Sequence, residues 1–389
     1  MQRAWTQIAN QPSSQGLTVV SYNILANKYA RSGYHAYCPD KYLDWSYRFP
    51  RIQSELLSHQ PDIICLQEVE EPTFVQEFVP ALRREGYQGL PVAQQARDVI
   101  QGPPDGCALC FYGLHYSRHS KPGDAIQGPP DGCALFFKSA RLQLLASSLC
   151  RFGNHVAPSK AGPFWDQVRA REDGAVLALL RDTQSKRVFC AASLHLFWDP
   201  HFPDVKAAQA AIVCAQIQDL LNRSRQSGAP VIMAGDYNSL WRKYRSDPFD
   251  KVPEGKFLTS GVYQLLATGQ LEVSHQDHPS QRRPDEDDEL AREIFSTSGL
   301  SLHSMILATP TQREPPLTTK TDKFAGCLDY IFLSQIHWLV TGVLGMPYNG
   351  ADGSVVDPAD VDFPPVPDAI FPSDHLSMGC KLQLLPLRD

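Results

Sequence analysis

The sequence predicts an α/β fold in which two mixed β-sheets pack against each other and helices cover their outer faces. Short apolar runs of strand character recur along the whole chain, and segments with helical spacing separate several of them. The chain has 389 residues, of which 43% are hydrophobic, so it can bury a large core. No segment has the composition of a strong linker, so we expect one large domain.

Apolar runs of strand length are predicted as β-strands. They cover residues 17–25, 63–68, 133–137, 142–146, 175–180, 188–195, 231–238, 327–333 and 378–385. Two adjacent runs separated by a short turn favour local pairing. We therefore expect residues 133–137 to pair with residues 142–146, and residues 175–180 to pair with residues 188–195.

Helical spacing is found in segments between these runs. The predicted helices cover residues 48–59, 73–85, 205–222 and 261–268. In the second of them, Phe74, Phe78 and Leu82 recur at i, i+4 and i+8, which places them on one helix face. The order of strands and helices indicates mixed sheets with helices outside them.

Composition excludes several classes of protein. The formal net charge of −6 argues against a generic nucleic-acid coat protein, and no apolar stretch approaches the roughly 20 residues that span a membrane. Residues 1–15 have no apolar signal core, so we expect an amino-terminal extension and a location in the cytoplasm, with the nucleus as a second location. Many of the ten cysteines lie in apolar runs and are predicted to be buried free thiols, namely Cys65, Cys190, Cys214 and Cys327. Because no cysteine cluster has zinc-ligand spacing, we expect no structural zinc.

A direct repeat interrupts the pattern. The segment DVIQGPPDGCALCF at residues 98–111 recurs as DAIQGPPDGCALFF at residues 124–137. The second copy continues into a predicted strand, so we assign it to the core and residues 98–123 to an inserted loop. A duplicated segment or a sequence-assembly artefact explains the repeat most simply, and a functional lid is the alternative.

Polar residues close or interrupt apolar runs that lie far apart in the chain. They are Asn23, Glu68, His195, Asp236, Asn238, Asp329, Asp374 and His375. Because each lies where a buried strand emerges from the sheet, we expect them to gather at one edge of the fold. Carboxylates, amides and imidazoles in one place suit hydrolysis of a phosphoester with the help of a divalent metal ion.

The spacing of these residues supports specific roles. Glu68 ends a buried strand and is suited to bind Mg²⁺, which prefers carboxylate oxygens. Asp236 and Asn238 are two positions apart, so on a strand they point to one face. Asp329 could hold the imidazole of His375 in a protonated form that binds phosphate. Each residue alone also has a structural explanation. Glu68 could be an exposed strand end, and Asp236 and Asn238 could belong to a Gly-Asp or Asn-Ser turn. Asp374 and His375 could cap a strand, and His195 could be a hydrogen-bonded core histidine.

Several motifs resemble those of the endonuclease/exonuclease/phosphatase superfamily, and more closely its branch of carbon-catabolite-repressor-type poly(A) deadenylases. The motifs are SYNILANKYA, YCPDKYLDWSYR, DIICLQEVE, DGCALFFK, FWDPHFPDVKAAQ, GDYNS, LDYIF and SDHL. They occur in the order of that family, from about residue 16 to residue 385. The resemblance implies a four-layer α/β sandwich, a catalytic domain over residues 16–389, and catalysis that depends on one or two Mg²⁺ ions, with Mn²⁺ as an alternative.

The resemblance also implies roles for individual residues. Glu68 and Asp374 are the implied metal-site residues, with Asn23 supporting the metal and phosphate site. Asp236 would position the attacking water, Asn238 and His195 would contact the scissile phosphate, and Asp329 would orient His375. Pro200 and Phe324 correspond to residues that sandwich an adenine base.

The chain departs from this family at three places. It starts almost at the catalytic domain, without the leucine-rich repeat that docks such enzymes into the deadenylase complex. Thr319 stands where the family usually has an asparagine, five positions before the phenylalanine. The charged segment that usually precedes DGCA is replaced by QGPP. The last two changes bear on base recognition.

The resemblance predicts a 3′–5′ exoribonuclease that removes poly(A) tails from mRNA and releases AMP by in-line attack of water. RNA, most simply poly(A), is the expected partner, with deadenylase-complex proteins as further candidates and no membrane. One alternative is a phosphatase of the same superfamily, either a nocturnin-type dinucleotide 2′-phosphatase or an Angel-type cyclic phosphatase. A third hypothesis is a non-catalytic RNA-binding scaffold, and the complete set of catalytic residues disfavours it.

Overall fold

The structure is a computed structural model that describes residues 3–8, 16–90, 100–101, 129–244, 246–253, 256–286, 289–351 and 354–386. The strands of the two large sheets are β1 (Trp5–Gln7), β2 (Leu17–Asn23), β3 (Ile63–Glu70), β4 (Tyr87–Gly89), β5 (Ile100–Gln101), β6 (Asp131–Lys138), β7 (Leu142–Arg151), β8 (Gly174–Asp182), β9 (Val188–His195), β10 (Val231–Asp236), β15 (Leu302–Ser304), β18 (Asp329–Ser334), β19 (Trp338–Leu344) and β20 (Met378–Leu384). Six two-residue strands form three small ladders: β11 (Arg242–Lys243) with β12 (Leu258–Thr259), β13 (Gln270–Leu271) with β14 (Phe295–Ser296), and β16 (Thr319–Lys320) with β17 (Ala325–Gly326).

The two large sheets each contain seven strands. The first sheet has the order β1-β19-β20-β2-β3-β6-β4, and the second has the order β15-β18-β10-β9-β8-β7-β5. Both sheets are mixed: β2 pairs with β3 and β9 pairs with β10 in parallel, while the neighbouring pairs are antiparallel. The predicted pairing of residues 175–180 with residues 188–195 is confirmed by the ladder between β8 and β9.

The sheets pack face to face, and alternation along one strand shows how. In β8, Val176, Ala178 and Leu180 face the apolar core between the sheets, whereas Leu177 and Leu179 face the opposite side. Successive strand residues point to opposite faces, so β8 is buried on both sides. A strand of this kind needs a second sheet on one face and helices on the other.

Helices supply the two outer layers. They are α1 (Asn27–Ala30), α2 (Asp40–Leu43), α3 (Trp45–Ser58), α4 (Glu71–Thr73), α5 (Val79–Arg84), α6 (Pro163–Arg169), α7 (Pro203–Arg223), α8 (Gly261–Thr268) and α9 (Pro279–Arg282), with a π-helical turn at Phe74–Phe78 and 3₁₀ turns at Phe152–His155, Leu290–Arg292, Met305–Ala308 and Pro358–Asp360. The buried faces of α3 and α5 cover the first sheet, and α7 covers the second sheet. The predicted four-layer α/β sandwich is confirmed.

In helix α8, residues at the two ends determine where the helix begins and ends. Its bounds are the predicted ones, Gly261–Thr268. The side chain of Ser260 accepts a hydrogen bond from the backbone N–H of Tyr263 at 3.3 Å, which satisfies one free donor of the first turn. Gly269 ends the helix with φ of +90°, a conformation that glycine adopts without strain.

The predicted pairing of residues 133–137 with residues 142–146 is wrong. Strand β6 lies between β3 and β4 in the first sheet, whereas β7 pairs with β8 in the second sheet. The short segment between them therefore carries the chain from one sheet to the other. Local apolar pattern identifies a strand, but it does not say which sheet the strand joins.

Two predicted segments fall partly or wholly outside the described residues. Residues 3–8 of the predicted extension include β1, which pairs with β19 at the edge of the first sheet, so this part packs on the domain. The inserted repeat at residues 98–123 lies outside the described residues, apart from residues 100–101. The domain boundaries stay a prediction.

The eight cysteines in the described part of the chain are free and buried, including Cys65, Cys190, Cys214 and Cys327 as predicted. Among the helices that the structure describes, none combines the length and apolarity that crossing a membrane requires.

One buried acid makes stability depend on pH. Glu314 is 3% exposed, and the hydroxyl of Tyr263 donates to its Oε1 at 2.9 Å. Burial raises the pKa of Glu314 from 4.5 to about 7. The fold therefore binds this proton more tightly than the unfolded chain does, and its contribution to stability is lost as the pH rises from about 4.5 to about 7.

Replacing Glu314 with glutamine is expected to raise the free energy of unfolding at pH 8 by up to about 3 kcal/mol, because the buried charge is removed. Urea denaturation of both proteins at about pH 5 and pH 8 measures this. The gain should be much smaller at the lower pH, where wild type is largely protonated. An equal difference at both pH values would contradict the prediction.

Candidate active site

Strand register brings three of the predicted residues side by side. Asp236 ends β10 and lies opposite His195, the last residue of the parallel strand β9. On the other side, Asp236 lies opposite Asp329, the first residue of the antiparallel strand β18. Gly235 permits the close approach of β10 to β9, because a Cβ atom there would lie 2.0 Å from Leu194 O. The edge of the second sheet thus presents an imidazole and two carboxylates.

The first sheet contributes an amide and a third carboxylate. Asn23 ends β2, and its Nδ2 donates to Glu68 Oε1 at 3.2 Å and to Asp236 Oδ2 at 3.0 Å. The other oxygen of Glu68, Oε2, accepts from the backbone N–H of Ala26 at 3.0 Å. One amide nitrogen therefore joins carboxylates from both sheets, and all three side chains are buried.

Two residues of the site, Glu68 and Asn238, have left-handed backbone conformations. Glu68 has φ of +58° and Asn238 has φ of +47°, and Glu68 lies at a bulge where the register of β3 against β6 shifts between Leu66 and Val69. A glutamate in this region costs on the order of 1–3 kcal/mol and persists only where its surroundings hold it, whereas asparagine adopts the conformation more readily. The hydrogen bonds of the site hold Glu68, so the fold gives up stability to orient this side chain.

His195 and Asn238 are held against Asp236. Asn238 Nδ2 lies 2.9 Å from His195 Nε2 and donates to Leu196 O at 2.9 Å, while the backbone N–H of Asn238 donates to Asp236 Oδ1 at 2.8 Å. His195 Nε2 is 3.4 Å from Asp236 Oδ2. Burial alone would lower the pKa of His195, but hydrogen bonding and attraction to Asp236 outweigh it and raise the pKa.

His375 lies between two carboxylates. Its Nδ1 is 2.9 Å from Asp329 Oδ2, and its Nε2 is 3.7 Å from Asp236 Oδ2. The hydroxyl of Thr318 donates to Asp329 Oδ2 at 2.5 Å, which fixes that carboxylate. Burial lowers the pKa of His375, but the attraction of Asp329 and Asp236 is larger and raises the pKa well above its usual value. The predicted pairing of Asp329 with His375 is present, and the imidazole is expected to be protonated at neutral pH.

Asp374 faces a histidine that the sequence did not single out. Asp374 Oδ2 is 3.2 Å from His35 Nε2, and His35 is 2% exposed. The backbone oxygen of Asp374 accepts from Thr319 Oγ1 at 2.8 Å. Ser373 Oγ donates to Asn23 O at 2.7 Å, which ties this loop to the end of β2. Asp374 and His375 are thus positioned by contacts with both sheets.

The donors in this site fit a divalent cation. Within the described residues, Asp236, Asp329 and His375 bring two carboxylate oxygens and an imidazole nitrogen within 4.8 Å of one another; a protonated His375 would leave the two carboxylates as the ligands. The predicted ligand Glu68 is outside that group but shares the Asn23 amide with Asp236. A set rich in carboxylate oxygens suits Mg²⁺ or Mn²⁺. The assignment of Glu68 and Asp374 as ligands stays a prediction.

A cavity of about 300 Å³ adjoins this site. His375, Asp374 and Asn238 line it on the side of the catalytic residues, and Pro200 and Phe324 line it elsewhere. Its lining includes Thr319, which the sequence singled out, and polar and charged residues that it did not: Lys206, Ser239, Lys243, Asp247, Asp250, Ser260, Thr321 and Lys323. The predicted base-stacking pair therefore shares one cavity with two of the predicted catalytic residues, Asn238 and His375, and with the predicted metal-site residue Asp374.

Sequence reasoning missed His35, Thr318 and Lys206, which contact Asp374, Asp329 and Asn238 respectively. Lys206 lies in the DVK stretch of a motif that carried the family resemblance, so a signal existed for it. His35 and Thr318 lie in no apolar run, and their roles depend on contacts with residues more than ten positions away.

The chain is similar in sequence to known proteins. The sequence model of the Endonuclease/Exonuclease/phosphatase family matches residues 20–375. The CCR4-Not complex 3′-5′-exoribonuclease subunit Ccr4 of Mycosarcoma maydis is 29% identical over 399 residues, which cover 95% of this chain and 50% of that protein. The subunit of the same name from Saccharomyces cerevisiae is 26% identical, over 99% of this chain and 41% of that protein. This chain thus spans half or less of the length of these two relatives.

A solved structure shares the fold. ANGEL2, a 2′,3′-cyclic phosphatase in complex with adenosine-2′,3′-vanadate, superimposes with a TM-score of 0.67 over 99% of each chain, at 22% sequence identity. At this identity the likeness concerns the arrangement of helices and strands.

Proposed function

This chain belongs to the Endonuclease/Exonuclease/phosphatase family, and we propose that it is a 3′–5′ exoribonuclease that shortens adenylate tails and releases AMP. One observation carries the proposal: Pro200 and Phe324 line the same cavity as Asn238, Asp374 and His375. A base held between the first two would place its nucleotide next to the catalytic groups. The names of the fungal relatives support the same activity.

The residues have distinct roles in hydrolysis of a phosphodiester. Asp236 accepts hydrogen bonds at both oxygens and is suited to orient the attacking water. The amide of Asn238 and the protonated imidazole of His375 are suited to stabilise charge that develops on the phosphoryl oxygens, and His195 adds a donor beside Asp236. A divalent cation held by Glu68, Asp236 and neighbouring carboxylates would polarise the phosphoryl group.

Phe324 supplies a testable part of base binding. Stacking of a base on an aromatic ring contributes about 1–3 kcal/mol. Replacing Phe324 with alanine is therefore expected to lower kcat/KM on oligo(A) roughly 5- to 150-fold, mainly through KM. Steady-state kinetics measure this, with Phe257→Ala as control, because Phe257 is an exposed ring that does not line the cavity. Equal effects of the two substitutions would refute the role of Phe324.

The activity itself is tested with 5′-labelled RNAs that share one body and end in oligo(A), oligo(U) or oligo(C), in the presence of Mg²⁺ or of a chelator. The proposal predicts stepwise shortening of the oligo(A) RNA with release of AMP, and no shortening with the chelator. An RNA that stays intact while another phosphoester is cleaved would overturn it. Equal shortening of all three tails would remove the adenine preference alone.

One feature of the cavity favours a second candidate. Lys323 lines it with an exposed side chain, and its ammonium group suits a small nucleotide that carries an additional phosphate. The ammonium groups of Lys206 and Lys243, which also line the cavity, are already bonded to Asn238 O and to Asp250 and Asp277. A nucleotide phosphatase of this family would release inorganic phosphate instead of AMP. Assay of both products in the same reaction separates the two candidates.

RNA is the partner that this proposal requires. Because the fungal relatives are named as subunits of the CCR4-Not complex, we also propose deadenylase-complex proteins as candidate partners. Pull-down from a cell extract, with an RNase-treated control, tests the second point. A cytoplasmic and nuclear location stays a prediction.

A further inference from the structure

Lys206 makes a close contact with the catalytic segment. It lies in the first turns of α7 (Pro203–Arg223) and is 3% exposed. Its ammonium donates to the backbone oxygen of Asn238 at 2.6 Å, and the side chain also lines the cavity described above. Burial of an ammonium group is costly unless it is hydrogen-bonded. The buried Lys206 therefore needs its hydrogen bond to Asn238.

Asn238 is held from every side by hydrogen bonds. Its backbone N–H donates to Asp236 Oδ1, its side-chain Nδ2 lies within hydrogen-bond distance of Leu196 O and His195 Nε2, and its backbone oxygen accepts from Lys206. The residue has φ of +47°, a left-handed conformation that asparagine adopts more readily than most other residues. These contacts hold the backbone and the side-chain amide of Asn238 in one orientation.

The helix that carries Lys206 is itself anchored to the strand before the site. Gln209, one turn further along α7, accepts from the backbone N–H of Phe197 at 2.8 Å and donates to Asp173 at 2.8 Å. Residues three positions apart lie on the same helix face. One face of α7 is therefore attached to the chain segments that follow both β9 and β10.

We propose that Lys206 is a positioning residue, which fixes the backbone of Asn238 so that its amide points at the reacting phosphate. The kinetic part of this inference rests on the proposed function, whereas the structural part does not. The role also explains why a cation is present at this place, since a charged donor makes a stronger hydrogen bond to a carbonyl oxygen than a neutral one does.

The environment of Lys206 lowers the pKa of its ammonium group. Burial and the nearby Lys243 lower its pKa to about 8, against the attraction of Asp199, Asp236 and Asp277. Lys243 differs from it, because its ammonium contacts the carboxylates of Asp250 and Asp277. Both lysines line the cavity, but Lys206 contacts the catalytic segment and Lys243 contacts two carboxylates.

Two measurements test the proposal. The first follows the backbone and side-chain amide signals of Asn238 by NMR in protein labelled with ¹⁵N-asparagine, assigned by their loss in Asn238→Ala. Lys206→Met should shift or broaden these signals, and Lys206→Arg should leave them close to wild type. Asn222, at the exposed end of the same helix, is the internal control.

The second is a double-mutant cycle. Lys206→Met is expected to lower kcat roughly 10- to 100-fold with KM within about threefold of wild type. Lys206→Arg should recover most of that loss. In the Asn238→Ala background, the effect of Lys206→Met on kcat should nearly vanish. A residue that only supports the fold would lower activity equally in both backgrounds. Unchanged Asn238 signals in Lys206→Met would overturn the proposal whatever reaction the protein catalyses. Absence of RNA shortening by wild type would refute the proposed function and leave the NMR result decisive for Lys206.

Discussion

Replacing Glu68 with glutamine is expected to lower kcat by about 10³-fold or more with little change in the fold. The substitution keeps the shape of the side chain but removes its charge from a buried site. Both oxygens of Glu68 accept hydrogen bonds, one from Asn23 Nδ2 and the other from the Ala26 N–H. Glutamine replaces one of these oxygens with an NH₂ group, which can only donate. One of these donors then faces another donor, so the link between Glu68 and Asp236 through Asn23 is disturbed.

Glu70 provides a matched control for this experiment. It lies on the same strand, it is also buried, and its Oε1 accepts from the backbone N–H of Lys28 at 2.9 Å. Glu70→Gln should keep kcat within roughly threefold of wild type, because it removes a charge nearby without touching the site. Kinetics on labelled oligo(A) RNA and urea denaturation of both variants provide the comparison. Comparable losses for the two substitutions would show that Glu68 has no special role.

Replacing Asp236 with asparagine is expected to lower kcat by about 10³- to 10⁴-fold. Asp236 is the centre of the site: Asn23 and the Asn238 backbone donate to it, and the imidazoles of His195 and His375 lie within 3.4 and 3.7 Å. An asparagine cannot accept a proton from water, and it removes the negative charge that both imidazoles face. KM should change much less than kcat, because the proposed base-binding residues Pro200 and Phe324 line the adjoining cavity and Asp236 does not.

Asp166→Asn is the control for Asp236→Asn. Asp166 is an exposed aspartate on α6 that pairs with Arg169 on the surface. We expect its kinetics to match wild type, since an exposed pair of this kind contributes little. If Asp236→Asn kept more than a tenth of wild-type kcat, the role of Asp236 as the residue that orients water would be wrong.

Much of the fold was predictable because its signal is local. Apolar runs identified the central strands, and the bounds of α8 follow from Ser260 before it and Gly269 after it. The destination of β7 was not predictable, because its local pattern predicts a strand without saying which sheet the strand joins. The π-helical turn at Phe74–Phe78 lies within a predicted helix, and its apolar spacing does not distinguish the two conformations.

The site was predictable to the extent that strand ends carry polar side chains. Asp236, His195 and Asp329 were each recognised from a local run, but their adjacency comes from the register of β9, β10 and β18, which no single segment encodes. The positive φ of Glu68 also had no sequence signal, because glycine or asparagine is the usual residue in that conformation. The contacts of His35 and Lys206 depend on how distant segments pack.

The central claim is that side chains from both sheets form one divalent-cation site, and binding of Mn²⁺ tests it most directly. Electron paramagnetic resonance of free Mn²⁺ during a titration gives stoichiometry and affinity without any substrate. We predict one or two ions per wild-type chain, an affinity at least roughly tenfold weaker in Glu68→Gln and in Asp236→Asn, and wild-type binding in Glu70→Gln. Identical Mn²⁺ binding by all four proteins would contradict the claim.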